Sequence, residues 1–343
     1  GRSLRSHYMR DDFALAESLF PEESPKHVKD LSCTLQVIVQ EQGGRIQGQL
    51  RKELISVEAL FADSNVRLGE TPRNIQKVLI IGNPGMGKTT LSKYLAYRWA
   101  AGTWGKEFGA VYVLPVRNLQ ERAYDNTGYR QEATLATAIV NNCFVPPAVA
   151  SAYEPLCQEV DNQLQEPTTL VILDGLDERS GVRESLITQA KRGNHRLLML
   201  SRPYGIVKGR KMAGVVEVGH IGLNGGQLRS YVQANLSSDQ SASLLSQLSQ
   251  NRSISEIAHV PVNLHILCFL WKEEASRDKV LEAIDNGSLP SLYRELAKEV
   301  WGRYLKRVRR LPDFLLYKEQ AQEAGLPISD RTALFDALGR LAL

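Results

Sequence analysis

The sequence predicts an α/β protein built on a doubly wound, five-stranded parallel sheet. Apolar runs typical of strands alternate with helical patterns between residues 77 and 218. One of these runs, at residues 170–173, is apolar at every position, which is typical of a parallel strand covered on both faces. Strand patterning stops at Asn224, and the remaining chain has helical periodicity. We therefore expect an α/β core followed by a helical part.

The composition is that of an ordinary globular protein. The chain has 343 residues, which is enough for two or three domains, and no apolar run approaches the length of a membrane span. Its net charge of +4 is too small to indicate nucleic-acid binding. Four scattered cysteines lack metal-binding spacing and predict reduced thiols, hence a cytoplasmic location. The chain begins with Gly1 rather than Met, and we expect it to come from a longer protein.

The first predicted strand, residues 77–81, leads into a glycine-rich loop that fits the phosphate-binding pattern G-x-x-x-x-G-K-[ST] at every position. The residues predicted to bind nucleotide there are Gly82, Asn83, Pro84, Gly85, Met86, Gly87, Lys88, Thr89 and Thr90. Glycines let successive N–H groups point at phosphate oxygens, and the helix expected at residues 91–100 directs its positive dipole end at the same anion. Lys88 is predicted to contact the β- and γ-phosphates and Thr89 to ligate Mg²⁺. These residues predict a nucleoside-triphosphate site.

An acidic cluster follows the apolar strand at residues 170–173. Before it, a second strand is predicted at residues 109–115, with helical patterns around residues 135–140 and 150–164. The carboxyl end of a buried parallel strand faces the ligand crevice, so Asp174 is the expected carboxylate on the Mg²⁺ side. Asp177 and Glu178 lie just beyond, and either one is a candidate to orient or deprotonate the attacking water. The sequence does not rank these two.

A fourth strand is predicted at residues 196–200 and ends in Ser201-Arg202-Pro203. Its polar end falls on the same edge of the sheet as Asp174. Arg202 is therefore a candidate to contact the γ-phosphate or an acidic partner, and an ordinary surface ion pair is the alternative. A short fifth strand is predicted at residues 214–218.

The segments outside the core are predicted to be mainly helical. Residues 1–30 are expected to form a loosely attached helix and linker, with the helix at residues 13–20. Beyond the core, helices are expected at residues 228–236, 244–248 and 255–271, with a polar break at 237–243. Pro261 heads an apolar helix, where a proline suits the first turn. Amphipathic helices are also predicted at residues 292–305 and 330–343, and the basic cluster between them is interpreted as a solvated helix end.

Taken together, the phosphate loop, the run Asp174-Gly175-Leu176-Asp177-Glu178 and the Ser201-Arg202-Pro203 segment resemble the NACHT-type signal-transduction NTPases, relatives of animal NOD-like receptors and bacterial antiviral ATPases. The resemblance extends over roughly residues 50–343. It implies four parts, which are an N-terminal helical or linker segment (1–49), an ASCE/AAA+-like P-loop NTPase core (50–223), a helical domain (224–290) and the truncated start of a winged-helix domain (291–343). It also implies that Pro261 packs on the adenine.

The resemblance further implies a switch in signalling or immune defence. ADP holds the closed form, and exchange for ATP releases it to form a homo-oligomer, with effector and sensor domains or partners outside this chain. Hydrolysis is expected to be slow. Many members lock the closed state with a winged-helix histidine, but this sequence has no histidine after His265. The alternative functions are a turnover ATPase, either motor-like or nucleic-acid-handling, and a nucleotide kinase whose basic lid would be at residues 208–211. No membrane partner is expected.

Overall fold

The computed structural model describes residues 2–10, 13, 34–38, 52–56, 61, 67–68, 71–72, 76–119, 122–124, 130–132, 134–144, 153–178, 184–203, 214–219, 222–272, 274, 277–278 and 280–281. The strands are β1 (Thr34–Ile38), β2 (Lys52–Ser56), β3 (Arg67–Leu68), β4 (Thr71–Pro72), β5 (Lys77–Ile81), β6 (Ala110–Pro115), β7 (Arg122–Tyr124), β8 (Arg130–Glu132), β9 (Thr169–Asp174), β10 (Arg196–Ser201) and β11 (Val216–Gly219). The helices are α1 (Arg2–Met9), α2 (Lys88–Ala100), α3 (Leu135–Cys143), α4 (Tyr153–Leu164), α5 (Glu184–Arg192), α6 (Gly225–Asn235), α7 (Ser238–Gln250), α8 (Arg252–Ala258) and α9 (Pro261–Trp271).

The central sheet has five strands in the order β11-β5-β10-β9-β6, and every neighbouring pair is parallel. Along the chain, α2 lies between β5 and β6, α3 and α4 lie between β6 and β9, and α5 lies between β9 and β10. Every residue of β9 and β10 is buried, which is why their sequences are nearly continuous apolar runs. This arrangement confirms the predicted α/β fold class with its doubly wound parallel sheet.

The strand register brings the predicted functional segments together at one edge of the sheet. Ser201 pairs with Ile81, and Asp174 pairs with both Leu200 and Pro115. The phosphate loop, the acidic cluster and the Arg202 segment therefore all leave the sheet at the same edge. The remaining strands form short antiparallel pairs, β1 with β2, β3 with β4 and β7 with β8.

The N-terminal helix packs on the core, whereas the sequence predicted a loosely attached segment. The Tyr8 hydroxyl donates to the Val111 carbonyl at 3.1 Å and accepts from the Val113 N–H at 3.1 Å. Arg5 donates to the Trp99 carbonyl at 2.9 Å, and its guanidinium lies 4.4 Å from the centre of the Trp99 ring. The prediction was wrong because polar residues dominate α1, while its few anchoring side chains find partners about a hundred positions away.

The chain divides into two compact units, Gly1–Asn83 with Gly87–Ile221, and Pro84–Met86 with Gly222–Leu343. Within the second unit, the predicted polar break at residues 237–243 is instead the start of α7, because Ser237 caps that helix and accepts from the Gln240 N–H. The helix predicted at residues 255–271 is two helices, α8 and α9, and Pro261 begins the second.

Some sequence-based predictions lie outside the described residues. These are the helix at residues 13–20, apart from residue 13, the winged-helix start at 291–343 and the basic cluster at 306–310. In the described part of the chain, no helix has the length and apolar character that crossing a membrane requires.

His195, just before β10, is the buried histidine of the first unit with an unsatisfied ring nitrogen. It is 1% exposed, and its Nδ1 donates to the Leu164 carbonyl at 3.0 Å, while Nε2 has no hydrogen-bond partner among the described residues. Burial lowers the pKa of His195, and the nearby backbone groups of Leu164 and Ala190 offset this only partly. The folded protein therefore holds this imidazole neutral under conditions in which an exposed histidine is protonated.

We expect the stability of the protein to fall as the pH drops below about 6.5, the ordinary histidine value. Below that value the unfolded chain binds a proton at residue 195 that the folded chain does not, so the free energy of unfolding decreases by up to about 1.4 kcal/mol per pH unit until the lowered pKa is reached. Urea denaturation of the wild type and of His195→Asn between pH 5 and pH 8 measures this slope. Asparagine keeps a donor near the Leu164 carbonyl but cannot titrate, and identical slopes for the two proteins would contradict the assignment.

Candidate functional site

The phosphate loop begins where β5 ends and is tied to the neighbouring strand. The Gly82 N–H donates to the Ser201 carbonyl at 3.1 Å. Gly85 and Gly87 have positive φ angles of 75° and 83°, which side chains of L-residues rarely adopt. Gly87 precedes α2, and its carbonyl accepts the first helical hydrogen bond from the Leu91 N–H at 2.8 Å. The first N–H groups of α2 and the loop therefore form the type of concave anion cradle that the sequence pattern predicts.

Lys88 extends back over this loop. Its ammonium donates to the carbonyls of Gly82 at 2.8 Å and Asn83 at 3.0 Å. Burial lowers the pKa of Lys88, and the nearby Arg202 guanidinium adds to this effect, while the acidic cluster opposes it. A partly buried cation beside another cation gains from an anion, and the phosphate groups of a nucleotide are anions of the required geometry.

Asp174 and Thr89 are the two predicted Mg²⁺ ligands. Asp174 is 7% exposed, and the Thr89 hydroxyl is close enough to affect the pKa of its carboxyl group. Burial raises the pKa of Asp174, with the Glu178 carboxylate acting in the same direction, while the Thr89 hydroxyl, Lys88 and Arg117 lower it. A buried carboxylate destabilised in this way gains from a cation.

The donor set fits Mg²⁺. A carboxylate and a hydroxyl oxygen are hard ligands, and Mg²⁺ in NTPase sites takes its other ligands from phosphates and water. Among the described residues, no group of three or more His, Cys, Asp or Glu side chains is arranged to hold a metal ion without such help. Thr89 and Asp174 would hold the ion, which would neutralise charge on the phosphates.

Asp177 and Arg202 form an ion pair at the same edge of the sheet. Arg202 Nε lies 3.4 Å from Asp177 Oδ2, and the Arg202 backbone N–H donates to Oδ1 at 2.9 Å. The Asp177 side chain is 3% exposed and that of Arg202 is 11% exposed. The structure thus brings Arg202 to an acidic partner, one of the two contacts that the sequence predicted for it. Through these two contacts, Asp177 holds the end of β10 in place.

Glu178 differs from Asp177 in its surroundings. It is exposed, and its N–H donates to the Gly175 carbonyl at 2.9 Å. Its carboxylate lies against Gly175, where a Cβ atom would be 3.1 Å from the carboxylate carbon. The absence of a side chain at residue 175 therefore allows the carboxylate to approach the end of β9, close enough to Asp174 to raise the pKa of that group.

Arg117 is a charged residue of the site that the sequence analysis missed. It is exposed and lies two residues beyond Pro115, the partner of Asp174 in the sheet. Its charge lowers the pKa of Asp174. The available signal was its position just after a strand, which by itself is weak because arginine is common on surfaces.

Pro261 begins α9 in the second unit, as its predicted place in a first helical turn requires. In the same unit, His259 Nδ1 donates to the Leu223 carbonyl at 2.6 Å, and His265 Nδ1 hydrogen-bonds to the Tyr231 hydroxyl at 2.8 Å. The contact between Pro261 and an adenine ring stays a prediction.

Comparison with known proteins agrees with this geometry. The family model described as the NACHT domain matches residues 76–204. That range begins one residue before β5 and contains the phosphate loop, the acidic cluster and Arg202. A search of curated proteins found no match to the chain.

We expect Lys88→Ala to weaken the binding of ATP and ADP by about a hundredfold or more, because it removes a charge-assisted contact to phosphate from a partly buried site. Isothermal titration with each nucleotide measures the effect. Lys106→Ala, which removes an exposed lysine of the same unit, is the control and should bind like the wild type. A Lys88→Ala protein that binds ATP with wild-type affinity would contradict the assignment of this loop.

Proposed function

We propose that the protein is a slow ATPase used as a nucleotide-dependent switch, because residues 76–204 match the family model described as the NACHT domain. ATP or ADP binds with Mg²⁺, and the identity of the nucleotide controls conformational opening and homo-oligomerisation in signalling or immune defence. The observation that carries the proposal is the Arg202–Asp177 ion pair beside the phosphate loop. In this pair, Arg202 can bind either Asp177 or the γ-phosphate of ATP.

The argument for this dependence is competition between anions. Arg202 is held by Asp177 at 3.4 Å, and its charge lowers the pKa of Lys88, the residue predicted to contact the terminal phosphates. A γ-phosphate offers Arg202 a doubly charged acceptor in place of a single carboxylate. ADP lacks this group. The two nucleotides therefore differ in the contacts they offer to the end of β10.

A switch also needs enough free energy. Moving a population from mostly closed to mostly open requires that ATP favours the open form by about 10⁴, or roughly 5.5 kcal/mol. Charge-assisted hydrogen bonds contribute about 1.5–3 kcal/mol each. Contacts of the γ-phosphate with Lys88, Arg202 and Mg²⁺ are a sufficient source of this difference.

For hydrolysis, we assign the orientation of the attacking water to Glu178 and a positioning role to Asp177. Asp177 already accepts a hydrogen bond from the Arg202 N–H and forms an ion pair with the Arg202 guanidinium, and its side chain is 3% exposed. Glu178 is exposed at the end of β9, where its carboxylate is accessible to water and close to Asp174. A general base must reach the water it activates. The proposed location is the cytoplasm, with effector and sensor domains or partners outside this chain.

We expect Glu178→Gln to slow single-turnover ATP hydrolysis by about a hundredfold or more, the usual contribution of a general base, while ATP affinity changes little. Asp177→Asn should instead lower the melting temperature, because it weakens the buried contact that holds Arg202. Quench-flow analysis of bound ATP and thermal denaturation separate the two effects. The opposite pattern, with hydrolysis lost in Asp177→Asn at unchanged stability, would reverse the two roles.

The switch itself is tested by identifying the nucleotide that purified protein releases on denaturation, with the molar mass measured by light scattering before and after addition of ATP and Mg²⁺. Near-stoichiometric ADP in a monomer, followed by assembly with ATP, supports the proposal. An empty site with rapid steady-state turnover and no change in mass would instead identify a turnover ATPase. Phosphate transfer to a second nucleotide would identify a kinase.

A further inference from the structure

The tip of the phosphate loop, Pro84–Met86, belongs to the same compact unit as the helices from Gly222 onward. Within that unit, Gly85 lies directly against Val262 in the first turn of α9. A Cβ atom on Gly85 would be 2.2 Å from Val262 Cγ1, and the Val262 N–H donates to the Gly85 carbonyl at 3.3 Å. The tip is thus held by one backbone hydrogen bond and by a side chain packed against its Cα.

The turn that carries Val262 is itself fixed. The Leu223 N–H donates to the His259 carbonyl at 2.8 Å, and the His259 imidazole donates back to the Leu223 carbonyl at 2.6 Å. A Cβ atom on the adjacent Gly222 would be 2.1 Å from the same His259 carbonyl and 3.3 Å from Met86 Sδ. The loop tip is therefore in close contact with residues 222–223 and with residues 259–262.

We propose that Val262 is a positioning residue for the phosphate loop, and that through it α9 sets the affinity of the loop for polyphosphate. The inference rests on the proposed function, since it assumes that the loop binds nucleotide. It assigns to Val262 a role that differs from the predicted contact of its neighbour Pro261 with adenine, because Val262 acts on the loop backbone rather than on the base.

The physical reason is pre-organisation. Gly85 has a φ of 75°, and glycine adopts positive and negative φ angles about equally easily. The loop tip therefore gains little rigidity from its own sequence. Val262 has a β-branched side chain with few rotamers and offers a stiff surface for the tip. Holding the loop N–H groups in their binding arrangement before the anion arrives reduces the entropy lost on binding.

The effect of Val262 on the loop is reciprocal. If a given position of Val262 raises the affinity of the loop for phosphate, phosphate binding stabilises that position of Val262 by the same free energy. The contact between Gly85 and Val262 is therefore a route by which occupancy of the loop acts on α9 without any contact to the adenine.

The test compares Val262→Ala, the conservative Val262→Thr and a control, Val232→Ala, which truncates a fully buried valine in α6 of the same unit. The probes are ADP and inorganic tripolyphosphate, each with Mg²⁺, and their dissociation constants are measured by isothermal titration on the whole chain. Tripolyphosphate has no base, so it reports on the loop alone. Wild-type binding of ADP is measured first, and failure of the wild type to bind would overturn the proposed function rather than the role of Val262.

We expect Val262→Ala to weaken both ligands by about tenfold, because the loop loses its rigid support, and Val262→Thr, which keeps the branched shape, to restore most of the affinity. Val232→Ala should lower the melting temperature with little change in either affinity. Weaker ADP binding with unchanged tripolyphosphate binding would show that Val262 acts through the base, and unchanged binding of both would show no role. Either result would overturn the inference.

A double-mutant cycle with Gly85→Ala tests the contact directly. The strain of alanine at a positive φ is common to both backgrounds and cancels, whereas the clash with the valine methyl group exists only when Val262 is present. Gly85→Ala should therefore weaken tripolyphosphate binding more in the wild type than in Val262→Ala. Equal losses in the two backgrounds would contradict the proposed contact.

Discussion

The parallel register of β5, β9 and β10 is the constraint on which the site depends. Pairing of Ser201 with Ile81 and of Leu200 with Asp174 places three different chain segments at one edge of the sheet. Because both neighbours of β10 are parallel to it, a shift of β10 by one residue would move Arg202 away from Asp177 and the Ser201 carbonyl away from the Gly82 N–H together. The buried apolar residues of β9 and β10 stabilise this register. The packing of the core therefore also determines the geometry of the site.

Much of the site was predictable because its signals are local. The phosphate loop, the acidic end of β9 and the polar end of β10 each follow an apolar strand, and the rule that parallel strands share their carboxyl edge brings them together without further information. The fold class follows from the same alternation of strands and helices. The roles of Asp177 and Glu178 were not predictable, because they differ only in burial and partners. Asp177 meets Arg202, 25 residues away in sequence, and the Glu178 carboxylate lies against Gly175.

Contacts between residues distant in sequence account for what the sequence did not predict. Tyr8 bonds to the backbone of β6 more than a hundred residues away, so a segment that looks polar and detached is anchored. Gly85 meets Val262 across an even longer separation, and neither residue is unusual for its local pattern. A glycine in a phosphate loop is explained by the loop alone. Only the structure shows that Val262 also requires residue 85 to have no side chain.

The charges at the sheet edge fit the proposed switch better than they fit a fast turnover ATPase. Lys88, Arg202 and Arg117 face Asp174, Asp177 and Glu178, so the protein balances its own charges before any ligand arrives. A nucleotide must compete with these internal pairs, and its γ-phosphate gains most where it displaces a carboxylate from an arginine. Each displacement releases a buried acid that needs a new partner. In the proposed switch, binding energy would be used to rearrange the ends of β9 and β10, and this energy would not be available to accelerate hydrolysis.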